Sequence, residues 1–122
     1  MSIRRVVPDI QSDHLDASRD FYVGVLGLEV AMDLGWVMTF ASPTNPTAQI
    51  TVLQKDASAE ITPQISIEVA DVDAVHAEAV RRGASVVYPL TNEPWGVRRF
   101  FVRDPNGIVL NILCHPKKAR GA

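Results

Sequence analysis

Cysteine is nearly absent from this chain. Cys114 stands alone among 122 residues, so no internal disulfide can form and nothing points to an oxidising compartment. Long apolar runs are missing too. Nothing approaches the roughly 20 consecutive apolar residues that a membrane-spanning helix needs. The early arginines, Arg4 and Arg5, are followed by no apolar stretch of the kind that marks a secretory leader. A cytoplasmic protein without membrane contact is expected. Net charge is only −2, which leaves no broad attraction to nucleic acid. The one basic cluster, Lys117-Lys118-Ala119-Arg120, reads as a frayed, solvated tail over residues 116–122. No Ser-His-Asp order, glycine-rich phosphate loop or nucleophile motif is present.

What is present is an ordinary globular balance, with 47% hydrophobic and 21% charged residues, in a length that suits a single domain. Residues 3–10 read as a strand. Pro8 lacks an N–H, which suggests an edge position or an irregular ladder. Ser12 or Asp13 can cap a helix whose stripe is Leu15, Ser18, Tyr22 and Val25, flanked by Phe21 and Leu26 and stopped by Gly27. Leu28–Met32, Trp36–Ala41 and Gln49–Leu53 are strand candidates separated by turn residues. Residues 55–63 show no period and form a linker. The order then repeats: a strand over Gln64–Val69, a helix capped by Asp71 and stopped by Gly83, then strands at Ser85–Tyr88, Arg98–Arg103 and Ile108–Cys114. The last two are joined by the turn Asp104-Pro105-Asn106-Gly107.

The chain thus predicts an α+β fold of two β-α-β-β-β modules, module 1 over residues 3–54 and module 2 over 64–115. Neither module is large enough to cover both faces of its sheet. Helices cover one face; the other faces curve toward each other, or toward a second chain, around a cleft.

Phe21-Tyr22 with Leu26-Gly27, and the Asp104-Pro105-Asn106-Gly107 hairpin, resemble the vicinal-oxygen-chelate superfamily of glyoxalase I, extradiol dioxygenases and bleomycin-resistance proteins. Pro94-Trp95-Gly96-Val97-Arg98 looks like a segment of the bleomycin-resistance branch. The resemblance implies a curved mixed sheet around a cleft and, in the enzymes, a divalent metal held by His and Glu. The matching positions here are Val7, Thr51, Gln64 and Asn111. Valine cannot ligate, and Thr, Gln and Asn are weak neutral donors for a catalytic cation. No metal and no cofactor are therefore expected, and no catalytic residue is assigned.

Metal-free, Thr51, Gln64 and Asn111 face the cleft, and alternation places Ser66, Glu68, Val109 and Leu113 with them. Ile65, Ile67, Val69, Leu110 and Ile112 turn to the helices. Trp36, Met38 and Phe40 share one strand face, either as core or as the aromatic wall of the cleft. The smaller Val37 and Thr39 suit packing under a helix, so the wall is preferred. Trp95, between Pro94 and Gly96, is a structural plug or, preferably, a stacking surface at the cleft mouth. Arg98 offers a donor fork for a carboxylate, phosphate or carbonyl-rich ligand, unless it pairs with Glu93 or Asp104. Which of Phe100 and Phe101 turns inward is left open. His76 reads as a packing residue, and His115 lies near the cleft end.

The expected function is metal-independent binding of a hydrophobic or aromatic small molecule, in the style of an antibiotic-sequestering resistance protein. A homodimer with clefts shared between subunits is expected. The rivals are a glyoxalase-like lyase, isomerase or dioxygenase with a relocated metal, and a metal-free enzyme using Glu68 as general base.

Overall fold

The computed structural model describes residues 2–116; the basic cluster at 117–120, expected as a solvated tail, lies outside them. Module 1 comprises β1 (Ile3–Gln11), α1 (Leu15–Gly24), β2 (Glu29–Asp33), β3 (Val37–Ala41) and β4 (Gln49–Leu53). Module 2 repeats the order with β5 (Ile65–Val69), α2 (Val72–Arg81), β6 (Val86–Asn92), β7 (Arg98–Arg103) and β8 (Val109–Cys114). All eight strands form one mixed sheet in the order β2-β3-β4-β1-β5-β8-β7-β6. In each module the first strand runs parallel to the last, β1 beside β4 and β5 beside β8, and the later strands form an antiparallel meander. The antiparallel pairing of β1 with β5 joins the two modules edge to edge.

Two prolines mark opposite tolerances. Pro89 lies in β6, which runs further than Ser85–Tyr88 and sits at the sheet edge, where a missing N–H costs no ladder bond. Pro8 is in central β1 and takes the irregular-ladder alternative. The Asp9 N–H points to β5, bonding the Gln64 carbonyl at 2.9 Å, so alternation turns the Pro8 nitrogen the other way. On that side the pairing with β4 begins only at Asp9.

Each helix covers the meander of its own module. Under α1, Leu15, Met38, Phe40 and Val52 form a buried cluster, with Tyr22 stacked on Phe40 at 5.3 Å. Under α2, Val69, Val72, Phe100 and Ile112 do the same, and His76 meets Phe100 edge-on at 4.9 Å. Phe40 and Phe100 are fully buried, and truncating either to alanine removes about 3–5 kcal/mol.

The helix ends differ. The Asp71 carboxylate caps α2 by accepting from the Ala74 N–H at 3.1 Å. At the other end Gly83 (φ 71°) lets the Ala84 N–H return to the Ala79 carbonyl at 2.9 Å. At α1 the cap position belongs to His14, without a side-chain bond. Neither Ser12 nor Asp13 caps the helix as expected, because Ser12 Oγ accepts from the His14 N–H, one residue too early. Val25, expected on the buried stripe, follows the last helical turn and is exposed.

The face of β3 reverses the sequence expectation. Met38 and Phe40 are core under α1, while Val37 and Thr39 line the cleft. The register explains it: Thr39 pairs with Thr51 and Phe40 with Ile50, so Thr51 can face the cleft only if Thr39 does and Phe40 does not.

Candidate functional site

The uncovered face of the sheet and the loops above it enclose a cleft of about 370 Å³, lined by both modules of one chain. Its floor is polar and internally bonded. On β8, Asn111 Nδ2 donates to Ser66 Oγ of β5 at 3.0 Å, and Ser66 Oγ donates to Asp9 Oδ2 of β1 at 2.6 Å. In module 1, the Thr39 and Thr51 hydroxyls bond each other at 2.8 Å. Asn111 Oδ1 is buried without a partner among the described residues. Asp9 has no ion-pair partner among the described residues, and burial pushes its carboxyl up to about 7 against the weaker pull of the Ser66 hydrogen bond and of Arg5.

Above the floor stands an aromatic wall. Trp36 and Trp95 meet edge to face at 5.4 Å. Trp36 reaches the cleft although Met38 and Phe40 do not, because it precedes β3 in a turn where Gly35 takes φ 85° and strand alternation has not begun. Trp95 follows Pro94 in the β6–β7 loop, where Gly96 takes φ 94°.

Behind Trp95 lies a buried ion cluster that the sequence reading missed. Arg99 Nη1 and Nη2 each donate to Asp56 at 2.7 Å, and Arg99 Nε donates to Glu93 at 2.6 Å. The guanidinium carbon also lies 5.0 Å from the Trp95 ring, 5.2 Å from Tyr88 and 4.7 Å from Phe101. Tyr88 Oη adds a bond to Glu93 at 3.1 Å. Burial alone would raise the Asp56 carboxyl, but the bonds from Arg99 and from the Ala59 and Ser58 N–H groups hold it below the ordinary carboxylate range. Asp56 thereby pins the linker onto module 2.

The remaining sequence candidates fall as follows. Thr51 and Asn111 line the cleft. Gln64 does not. It sits just before β5 with Oε1 accepting the Val109 N–H at 3.2 Å, and Ser66 occupies the place beside Asn111. Glu68 lies at the rim between Arg5 Nε (2.6 Å) and His115 Nδ1 (2.8 Å). Burial would raise its carboxyl, but the hydrogen bonds from His115 and Arg5 hold it down, which does not suit a general base. Arg98 points away from the cleft to Asp73 of α2, at 2.7 Å, and to Asn92. Its neighbour Arg99 lines the cleft, as does Arg5. The signal was available: with Arg103 opposite Val109 across the Asp-Pro-Asn-Gly hairpin, Arg99 falls opposite Leu113, already a cleft-face residue. The same register puts Phe101 on the cleft side beside Asn111 and Phe100 under α2, both fully buried.

A divalent cation fits this donor set poorly. Val7 offers nothing, the Thr39 and Thr51 hydroxyls bond each other, Ser66 is committed to Asp9, and of the two lining carboxylates Asp56 is taken up by Arg99, which leaves Asp9 alone. Among the described residues no three His, Cys, Asp or Glu side chains converge on a metal site, and no helix is long and apolar enough to cross a membrane.

Residues 3–112 match the model of the Glyoxalase/Bleomycin resistance protein/Dioxygenase superfamily. No curated protein matches the chain. Among solved structures, a Legionella pneumophila protein named as an NAD-dependent benzaldehyde dehydrogenase is 19% identical, with a TM-score of 0.73, and the match covers 91% of this chain and 99% of that one. A superfamily member from Vibrio splendidus 12B01 is 18% identical with a TM-score of 0.70, over 93% and 99% of the two chains. A Streptomyces coelicolor methylmalonyl-CoA epimerase variant is 20% identical with a TM-score of 0.66, over 96% and 99%. At these identities the likeness is one of fold.

Proposed function

The chain belongs to the Glyoxalase/Bleomycin resistance protein/Dioxygenase superfamily, and on that premise we propose that it binds an aromatic small molecule without a metal. It holds the molecule rather than transforms it, in the manner of a drug-sequestering resistance protein. The observation that carries this reading is the pairing of Trp36 with Trp95 over a floor whose donors bond one another instead of converging on an ion. A cavity of about 370 Å³ takes a few fused rings. The rival enzyme with a relocated metal would need three donors that the described residues do not bring together. A Glu68 base is disfavoured by its pairing with Arg5 and His115.

Both tryptophans of the chain are at the cleft, so intrinsic fluorescence reports on it directly. Titration with a panel of aromatic natural products is expected to give saturable quenching that survives dialysis against a chelator. A stoichiometric, tightly held metal whose removal abolishes binding would overturn the reading, as would turnover of a bound compound.

The reading includes a homodimer. Phe21, Val25 and Leu26 around the end of α1, and Ile3, Val6 and Ile10 on β1, leave large apolar side chains exposed, which a second copy would shield from water. Light scattering that finds only monomer at micromolar concentration would remove this part.

A further inference from the structure

The charges around the cleft do not balance evenly. Arg99 is matched by Asp56 and Glu93, and Arg5 by Glu68, which His115 also contacts. Asp9 is left over. Its Oδ2 accepts from Ser66, whose hydroxyl in turn accepts from Asn111, so the floor's donors run in one direction toward that carboxylate. Its Oδ1 has no hydrogen-bond partner among the described residues. An anionic ligand would find no unmatched arginine among the described residues of this cleft and would face a carboxylate; a cation would find that carboxylate together with two indole rings.

Resting on the binding reading above, we propose that the ligand carries a protonated amine on an aromatic or heteroaromatic ring system. The amine sits against Asp9 Oδ1 and the ring system against Trp36 and Trp95. This reverses the polarity that Arg98 suggested in the sequence, since Arg98 is turned to Asp73 outside the cleft. It also separates this cleft from any that takes a carboxylate or phosphate.

A thermodynamic signature follows. The groups around Asp9 are Arg5 on its own strand, Thr51 opposite it on β4, Ser66 on β5, Asn111 on β8, Arg99 on β7 and Asp56 of the linker. Within that surrounding the free carboxyl still holds a proton up to about 7. Seating an ammonium beside it favours the ionised form, so binding expels a proton to solvent. Affinity therefore strengthens as pH rises from about 5.5 to about 7.5.

The test uses three probes on one ring system, naphthylmethylamine, naphthylmethanol and naphthoate, titrated by calorimetry in buffers of differing ionisation enthalpy. The amine is expected to bind about tenfold tighter than the alcohol, with naphthoate weakest. The amine alone should release protons near neutral pH. Asp9→Asn should bring the amine to the level of the alcohol, abolish proton release and leave the alcohol within about twofold. Naphthoate equal to the amine, or an amine indifferent to Asp9→Asn, overturns the inference while leaving aromatic binding intact. Failure of all three probes to bind overturns the binding reading itself. Should Asp9→Asn not fold, the order of the probes and the proton count on the native protein decide.

Discussion

In module 1 the cleft face carries Val37 and Leu53 beside the paired hydroxyls of Thr39 and Thr51, whereas in module 2 it carries Arg99 clamped by two buried carboxylates and three aromatic rings. The strand order and register behind the two faces are nearly the same. The helices differ in the same sense: α2 is capped by Asp71 and braced by Glu78 with Arg81 and Arg82, while α1 lacks a side-chain cap and ends in exposed apolar residues. One topology therefore supports two divisions of labour. Module 2 fixes the linker and the Trp95 loop through charge, and module 1 supplies a mostly uncharged wall. Asp9, on the strand where the modules meet, is the cleft-lining acid without an ion-pair partner among the described residues.

The largest break in this comparison is expected from Arg99→Met, which leaves Asp56 and Glu93 buried without their cation. It should destabilise the fold by about 3–5 kcal/mol in urea denaturation, whereas Thr39→Val on the module 1 side of the cleft should cost only about 1 kcal/mol. Equal costs would mean that the ion cluster is not the firmer of the two faces.

Next comes the pH dependence of stability, where Asp9 and Asp56 act with opposite sign. The Asp9 carboxyl is raised from 3.8 to about 7. Between those values the folded chain keeps a proton that the unfolded chain has released, so Asp9 lowers stability progressively as pH rises through the window. Asp9→Asn is expected to remove that slope and to stabilise the protein at mildly alkaline pH by at most about 4 kcal/mol, with little change near pH 4. Asp56 and Glu68, held below their ordinary values, contribute stability that is present at neutral pH and lost on acidification below about 4. Denaturation midpoints of native protein and Asp9→Asn across pH check both signs; parallel curves would place Asp9 in a solvated setting.

The smallest effect sharpens the contrast between the helices. Asp71→Ala should cost about 1 kcal/mol through the lost cap, while His14→Ala should cost no more than a few tenths. Hydrogen exchange in the first turns of α2 and α1 would resolve the difference, and equal losses would remove it.

Much of module 2 was legible because its pattern is redundant. Ile65, Ile67 and Val69 alternate with polar neighbours, Asp71 and Gly83 bracket the helix, and a four-residue turn sets the last hairpin. Module 1 was less so. Every residue of Val37-Met38-Thr39-Phe40 is buried, hence neither face announces itself by polarity. The face was decided by the loop from Ser42 to Ala48, whose closure puts Ala41 opposite Gln49 and fixes which side Phe40 takes. Arg98 and Arg99 posed the same problem, two identical side chains one residue apart on a strand with period two.

The amino-acid sequence by itself determined the repeated β-α-β-β-β order, the helix-facing rows of module 2, and the scarcity of strong metal donors at the matching positions. These depend on local propensity, turn chemistry and residue type. Only the tertiary structure decided that Met38 and Phe40 left the cleft, and that Asp9 stayed without an ion-pair partner among the described residues. Those outcomes depend on strand register and on which charges find partners far along the chain, and a slip of one residue exchanges every side chain between core and cleft.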